Sequence, residues 1–472
     1  MKVLLVSPNV ESLPDPVFPI GLAFIAGALK KNRIRYQVLD LCFVQDYEAA
    51  IASCVRDFTP DIIGLSLRNV DNVSYPQYVS YLTFYRRVVQ TFKKYSRGLI
   101  VVGGSGFALI PAAMLNYLKT DYGILGEGEF SFVKFINEHK QHKDARAELK
   151  SGVINYHPGI IENLNDLPIP DRSKFDNAAY LRWGGMGNIQ TKRGCPFHCI
   201  YCTYPLIEGP NIRLRSPRLI CDEIETILEY GVNHLFVVDN EFNYPIDHAQ
   251  AVCREMINRK LPIRWSCYAS PGFVTPELID LMLAAGCTGL EFGSDAANAT
   301  MLANMGKSFT VNDLENASAV CRQSGISFCH SLLLGGPGET METVNQTLKT
   351  ILDLAPTAVI CMIGIRVFPR TKLALLAAKE GLIGPDEDFL KPVFYLSPAI
   401  ENDILPFIKT FSTKHPTWIF PGLNININNQ LQKKLRRFGI RGPLWEHMRI
   451  GGRLLPAQQN GAVGQSGAKS VE

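Results

Sequence analysis

Two blocks of alternating short strands and helices, separated by a proline-punctuated segment, constrain this chain more than any other feature. In the first block Lys2–Ser7, Arg35–Leu41, Asp61–Ser66, Gly98–Gly103 and Tyr122–Leu125 are short, apolar and rich in β-branched residues. Between them Leu22–Lys31, Tyr75–Tyr95 and Phe130–His139 carry helical periodicity. Strands joined through helices pair in parallel, so residues 1–140 are expected to form a doubly wound, Rossmann-like α/β domain that takes ligands beyond the carboxyl ends of its strands.

Residues 141–185 read as a linker, polar at first and then Leu167-Pro168-Ile169-Pro170-Asp171, where the prolines forbid a continuous helix. Over 186–385 the alternation resumes in Asn188–Lys192, His234–Asp239, Ile263–Tyr268, Thr288–Gly293, Ile326–Gly335 and Ala358–Phe368. Ser216-Pro217, Thr275-Pro276 and Thr310 with Asp313 open helices, and Gly286 and Gly325 end two of them. Six units fall short of the eight of a closed barrel, so an open or partial barrel is expected. Residues 386–456, with Trp418 and Gly442-Pro443-Leu444-Trp445, read as a C-terminal cap that helps choose the substrate. Lys433–Arg437 reads as the solvated face of a helix, and the Gly-, Ser- and Gln-rich tail 457–472 as disordered.

Net charge is only +4 and no long stretch is strongly basic, which argues against nucleic acid. The longest apolar runs, such as Ala358–Ile365, are far shorter than the roughly 18 residues of a membrane span. Met1–Val6 runs straight into a strand pattern with no signal-peptide core. Of the 12 cysteines only three are clustered, and the others sit mostly in apolar runs as small hydrophobes, which fits a reducing cytoplasm rather than a disulfide framework.

The clustered three lie in Gly194-Cys195-Pro196-Phe197-His198-Cys199-Ile200-Tyr201-Cys202, after the first strand of the second block. A loop lets three sulfurs converge where a strand would not. Thiolates are the usual ligands of iron–sulfur clusters, and a [4Fe–4S] cluster normally takes four, so Cys195, Cys199 and Cys202 would leave one iron open. Zinc is the competing reading, but His198 directly precedes Cys199 and makes a strained fourth donor.

Cys-x3-Cys-x2-Cys with an aromatic residue before the last cysteine resembles the signature of the radical S-adenosylmethionine (SAM) superfamily, over about residues 186–385. The resemblance implies a partial (β/α)6 barrel whose open iron is chelated by the methionine end of SAM, and reductive cleavage to a 5′-deoxyadenosyl radical. It also implies a flavodoxin- or ferredoxin-type reductant. By position it implies SAM contacts from Tyr201 near the adenine, Asp239 and Glu241 at the second strand end, Asp295 near the ribose, Gly335 and Gly336 of Gly-Gly-Pro-Gly-Glu-Thr, and Arg366 on the sixth strand. Asp295 stands where many relatives carry Glu. Gly335–Gly338 also reads as a plain strand-to-helix turn, and Arg366 as a structural ion pair.

In that setting the front domain resembles the cobalamin-binding domain of the B12-dependent class. The matching pieces are Pro19 and Gly21 at the first helix, Ser66 at the third strand end, Gly103-Gly104-Ser105 at the fourth, and Gly126-Glu127-Gly128 after the fifth. Glycines at strand ends admit a bulky planar cofactor, and helix N-termini can hold its phosphate. Asp40-Leu41-Cys42-Phe43 replaces the histidine motif of classical B12 proteins, and the first histidine is His139, so no histidine ligand to cobalt is expected from this domain. The reaction implied is methyl transfer to an unactivated carbon or a phosphinate of a small-molecule, lipid or natural-product intermediate, with one SAM remethylating the cobalamin and a second giving the radical. Cyclisation or rearrangement is the alternative. Methylthio transfer to tRNA would need a front-domain cysteine trio, where only Cys42 and Cys54 occur, and a cobalamin or redox sensor would not need the glycine-rich barrel loop.

Overall fold

The computed structural model describes residues 1–12, 14–141, 152–155, 159–426 and 429–448; the tail 457–472 lies outside the described residues. The front domain holds a six-stranded, fully parallel sheet. Its strands are β1 Lys2–Ser7, β2 Arg35–Asp40, β3 Ile62–Ser66, β4 Leu99–Gly103, β5 Tyr122–Leu125 and β6 Gly152–Asn155, in the order β2-β1-β3-β4-β5-β6. Val3, Leu4, Leu5 and Val6 are all buried, as expected of a strand covered on both faces.

Two readings of this half change. β6 falls inside the stretch read as linker, where polar surroundings hide a four-residue strand that pairs with β5. The helix expected over Tyr75–Tyr95 begins only at Leu82. Residues 71–80 form instead an arm closed by an Asp71–Ser80 bridge, and the Tyr75 ring and backbone pack on Gly364 and Gly422 of the second domain.

The second sheet has seven parallel strands, not six. In spatial order from one edge they are Gly187–Ile189, His234–Val237, Arg264–Ala269, Cys287–Asp295, Ser327–Leu334, Ala358–Ile363 and Trp418–Ile419. The two outer strands do not pair with each other, so the barrel is open. Ser216, Thr275 and Thr310 cap their helices through their side chains, Thr310 in a capping box with Asp313. Trp418 adds the last strand, while Trp445 and Glu446 fill the amino-terminal end of the barrel. Glu446 accepts from Thr288 at 3.3 Å and from Ser266, and Gly289 lacks the Cβ that would lie 2.8 Å from the Trp445 ring.

Lys433, Lys434 and Arg437 of the basic run are exposed, as a solvated face requires, but one member is not. Arg436 is 2% exposed and donates to Asp15 at 2.9 and 2.7 Å and to the carbonyls of Ile440 and Gly442. The two domains share one apolar core: Met305, Ile365, Val367, Leu373 and Tyr395 of the second pack into the cluster that contains Leu65, Val88, Ile100 and Phe107 of the first. Among the described residues no helix is long and apolar enough to cross a membrane.

Candidate cluster and cofactor site

The cysteine loop is stapled at its base by an antiparallel pair, Lys192–Arg193 with Arg213–Leu214. Inside it the Cys195 N–H donates to Gly209 O at 3.1 Å, the Gly194 N–H to Glu208 Oε2 at 3.0 Å and the Ile200 N–H to Met305 O at 3.0 Å. Gly194 has φ +91°, and a Cβ there would lie 2.1 Å from Asn211 O, so only glycine fits. Cys195 is buried, and Cys199 and Cys202 are half-buried. Burial pushes the thiols up, Cys195 to about 11 and Cys202 to about 12, with Cys199 raised against the opposing charge of Lys307. A metal must therefore displace their protons as it binds.

These residues fit a cluster better than a lone ion. Among the described residues no three His, Cys, Asp or Glu side chains gather around one metal position, as zinc would require. A cubane instead takes its thiolates on separate irons, and three leave one iron free. His198 is exposed rather than turned in as a fourth donor.

Of the residues expected around SAM, Tyr201, Asp295 and Glu241 gather beside the cysteines. Asp295, with φ +62° at a strand bulge, accepts from the Tyr201 hydroxyl and from Lys307 Nζ at 2.8 Å. Glu241 carries a buried carboxylate oxygen without a partner and is pushed up to about 7 by burial. The other expected contacts are engaged within the chain. Asp239 accepts from the Thr191 N–H at 2.7 Å, the Thr191 hydroxyl and the Lys192 N–H, which anchors the base of the cysteine loop. The Gly335 and Gly336 N–H groups both donate to Glu339, a buried carboxyl raised to about 7 by burial. Arg366 donates to Asp71 at 3.0 Å and to the carbonyls of Val367 and Phe389, so it ties the arm of the front domain to the barrel.

At the front sheet's carboxyl edge, Ser66, Gly103, Gly104 and Ser105 form one patch. Gly104 has φ +98°, a Cβ there would lie 2.7 Å from Leu67 O, and Ser105 donates to Arg68 O at 2.8 Å. Pro19 precedes the helix Ile20–Lys31, and Gly21 beside it is exposed, with open space where a Cβ would point. The turn after β5 faces the barrel. A Cβ on Gly126 would lie 2.1 Å from Gly159 O, and Gly128 starts a helix against Ile25. Glu127 pairs with Arg213 at 2.7 Å and Arg193 at 3.3 Å, and Glu129 with Arg193 at 2.6 Å. Glu127, expected at the cofactor, thus belongs to an ion cluster next to Gly194. His139 packs on Phe135 and Tyr122 in the helix behind the sheet, away from the loops at this edge.

Sequence reasoning missed Lys307, Arg193, Arg213 and Arg68. Lys307 and Arg213 carry no motif. Arg193 stood unread beside Gly194, and Arg68 is an exposed charge two residues past Ser66, which is the one local signal available.

Two family models match the chain, the Radical SAM superfamily over residues 189–351 and the B12 binding domain over residues 6–136. Tryptophan 2-C-methyltransferase of Streptomyces laurentii is 26% identical, over 80% of this chain and 74% of that protein. The anaerobic magnesium-protoporphyrin IX monomethyl ester cyclase of Cereibacter sphaeroides is 24% identical, over 75% of this chain and 60% of the cyclase. The radical SAM methyltransferase TsrM of Kitasatospora setae, solved with cobalamin and a [4Fe–4S] cluster bound, superposes with a TM-score of 0.85 at 25% identity, covering 95% of this chain and 97% of TsrM. A second TsrM structure, with tryptophan and a SAM analogue bound, gives 0.86.

Proposed function

The chain is a cobalamin-dependent radical SAM enzyme, and from that premise we propose that it transfers a methyl group to a carbon or phosphinate of a small-molecule, lipid or natural-product substrate. One observation carries the reading. The helix Ser105–Leu109, which opens directly after Gly103-Gly104, packs on the turn Tyr204–Ile207, which directly follows Cys202. The glycine-lined edge and the cysteine loop therefore adjoin, as two cofactors serving one substrate require.

When bound, the cluster supplies the electron that opens SAM and the cobalamin carries the methyl group. Cys195, Cys199 and Cys202 would hold the cluster. Glu241 and Asp295 offer carboxylates to the cationic and hydroxyl groups of SAM, and Lys307 pairs with Asp295 at 2.8 Å. Ser66, Gly103, Gly104 and Ser105 would cradle cobalamin, with Arg68 as the nearest charge at that edge. The shared apolar core fixes the two domains against each other behind the meeting point. In this reading residues 1–140 are the cobalamin domain and 186–385 the catalytic barrel, the electron comes from a flavodoxin- or ferredoxin-type protein, and the enzyme works in the cytoplasm.

Anaerobic incubation with methyl-deuterated SAM, reductant and candidate substrates tests it, with label read by mass spectrometry. A product heavier by a deuterated methyl group is expected. Release of 5′-deoxyadenosine with an unlabelled, cyclised product would favour the cyclase reading, which has relatives of its own.

A further inference from the structure

The barrel interior carries a carboxylate that none of these roles uses. On the strand Cys287–Asp295, Leu290 and Phe292 are buried in the core against the helices, so Glu291 and Gly293, before the bulge, face the concave side. Glu291 is only partly buried, and one of its oxygens accepts from Ser331 on the next strand at 2.7 Å. Tyr268 sits beside it in register, 39% exposed, with Phe236 edge-on at 4.8 Å.

The space above Glu291 is open. Gly293, two residues on, is exposed, and a Cβ placed there would meet nothing within 4 Å. Below, the floor is closed by Trp445 and Glu446 against Gly289. Above, Asp295 with Tyr201 and Lys307 bounds the space beside the cysteine loop. Asp295 is four positions along the strand from Glu291, across a bulge, a span of at most about 13 Å. The concave face between the SAM-side residues and the floor thus carries Tyr268 and Phe236 on one wall, with Glu291 between Asp295 above and Glu446 below.

Resting on the methyl-transfer reading, we propose that Glu291 selects the substrate by accepting a hydrogen bond from an N–H group, ring N–H or ammonium, of an aromatic small molecule seated over Gly293 and against Tyr268. A carboxylate in an aromatic wall discriminates, because Ser331 engages one of its oxygens and a donor on the ligand adds a hydrogen bond that a ligand without one cannot make. Burial pushes this carboxyl up, while Ser331 and Trp445 oppose the rise. A cationic or strongly donating partner therefore gains more here than at a solvated carboxylate.

Equilibrium dialysis of the anaerobically reconstituted full chain tests the proposal with three probes: indole (ring N–H), phenethylamine (ammonium) and benzothiophene (no donor). Indole or phenethylamine should bind at least tenfold more tightly than benzothiophene. Glu291→Leu should erase that preference. Gly293→Leu should abolish binding of all three, with iron and cobalt contents unchanged as the measure of intact folding. The proposal is overturned if no donor probe binds, if benzothiophene binds as tightly as both donors, or if Glu291→Leu keeps the preference. Binding is read without turnover, so intact Glu291-dependent binding with no methylated product would sink the methyl-transfer reading and leave the subsite standing.

Discussion

The cysteine loop and the glycine-lined edge of the front sheet adjoin each other but are built in opposite ways. The loop is tied down on every side: a strand pair at its base, Asp239 and Glu208 on its backbone amides, and Met305 bonded to Ile200. The edge offers backbone, with Gly103 half-buried and Gly104 exposed at φ +98° against the Leu67 backbone. Three thiolates must reach fixed irons, so a cluster site needs its geometry built beforehand. A flat cofactor bound through a broad face needs side chains removed instead. Where the two meet, the charges are buried: Arg193 and Arg213 join Glu127 and Glu129 across the domains.

Replacing Cys195, Cys199 and Cys202 together with Ala is the largest test. About four iron and four sulfide per chain should fall to none, while the chain still binds hydroxocobalamin. Loss of both cofactors would mean that the glycine edge depends on the occupied loop, and the contrast would fail. Next comes the bridge between the two. Arg193→Ala leaves Glu129 buried without its partner at 2.6 Å and should cost about 3–5 kcal/mol in chemical unfolding. A loss below about 1 kcal/mol would place the domain coupling in the shared apolar core instead.

The strands and the cysteines were legible because both are local signals: β-branched runs of four to six residues, and cysteines with three and two residues between them. What stayed hidden depends on distance along the chain. Arg436 reads as one more solvated charge until Asp15, 421 residues away, accepts from it. Glu127 reads as a cofactor contact because its turn is glycine-rich, and only the fold brings Arg213 to it. Arg366 carried both readings, and the fold pairs it with Asp71 of the arm, 295 residues away. Lys307 reaches Asp295 only because the bulge at Gly293/Asp295 turns that carboxylate inward.

The glycine edge has its own test. Gly104→Val forces a branched residue into φ +98° with a Cβ 2.7 Å from Leu67 O, and should cost about 2 kcal/mol. Hydroxocobalamin affinity should fall at least tenfold while iron content holds. Equal losses of cobalt and iron would show that the two ends are not separately built.

The smallest effect probes the closure of the barrel core by pH. His330 lies wholly buried between Phe292 and Phe328, with its ring nitrogens bonded to Ser294 at 2.7 Å and Ser318 at 3.2 Å. Burial holds it neutral and lowers it from 6.5 to about 3. Between those values the unfolded chain binds a proton that the folded chain refuses. The stability this neutral ring permits is therefore full above pH 6.5 and is lost as pH falls toward 3. Carboxyls elsewhere titrate over the same range, so the readout is a difference between wild type and His330→Asn, which removes the titrating ring and leaves the rest. Asn costs a constant amount for lost packing, and wild type should lose about 1 kcal/mol relative to it between pH 6.5 and 5.5. A flat difference would mean that the barrel core admits the proton, and that its interior is less closed than the packing around Phe292 implies.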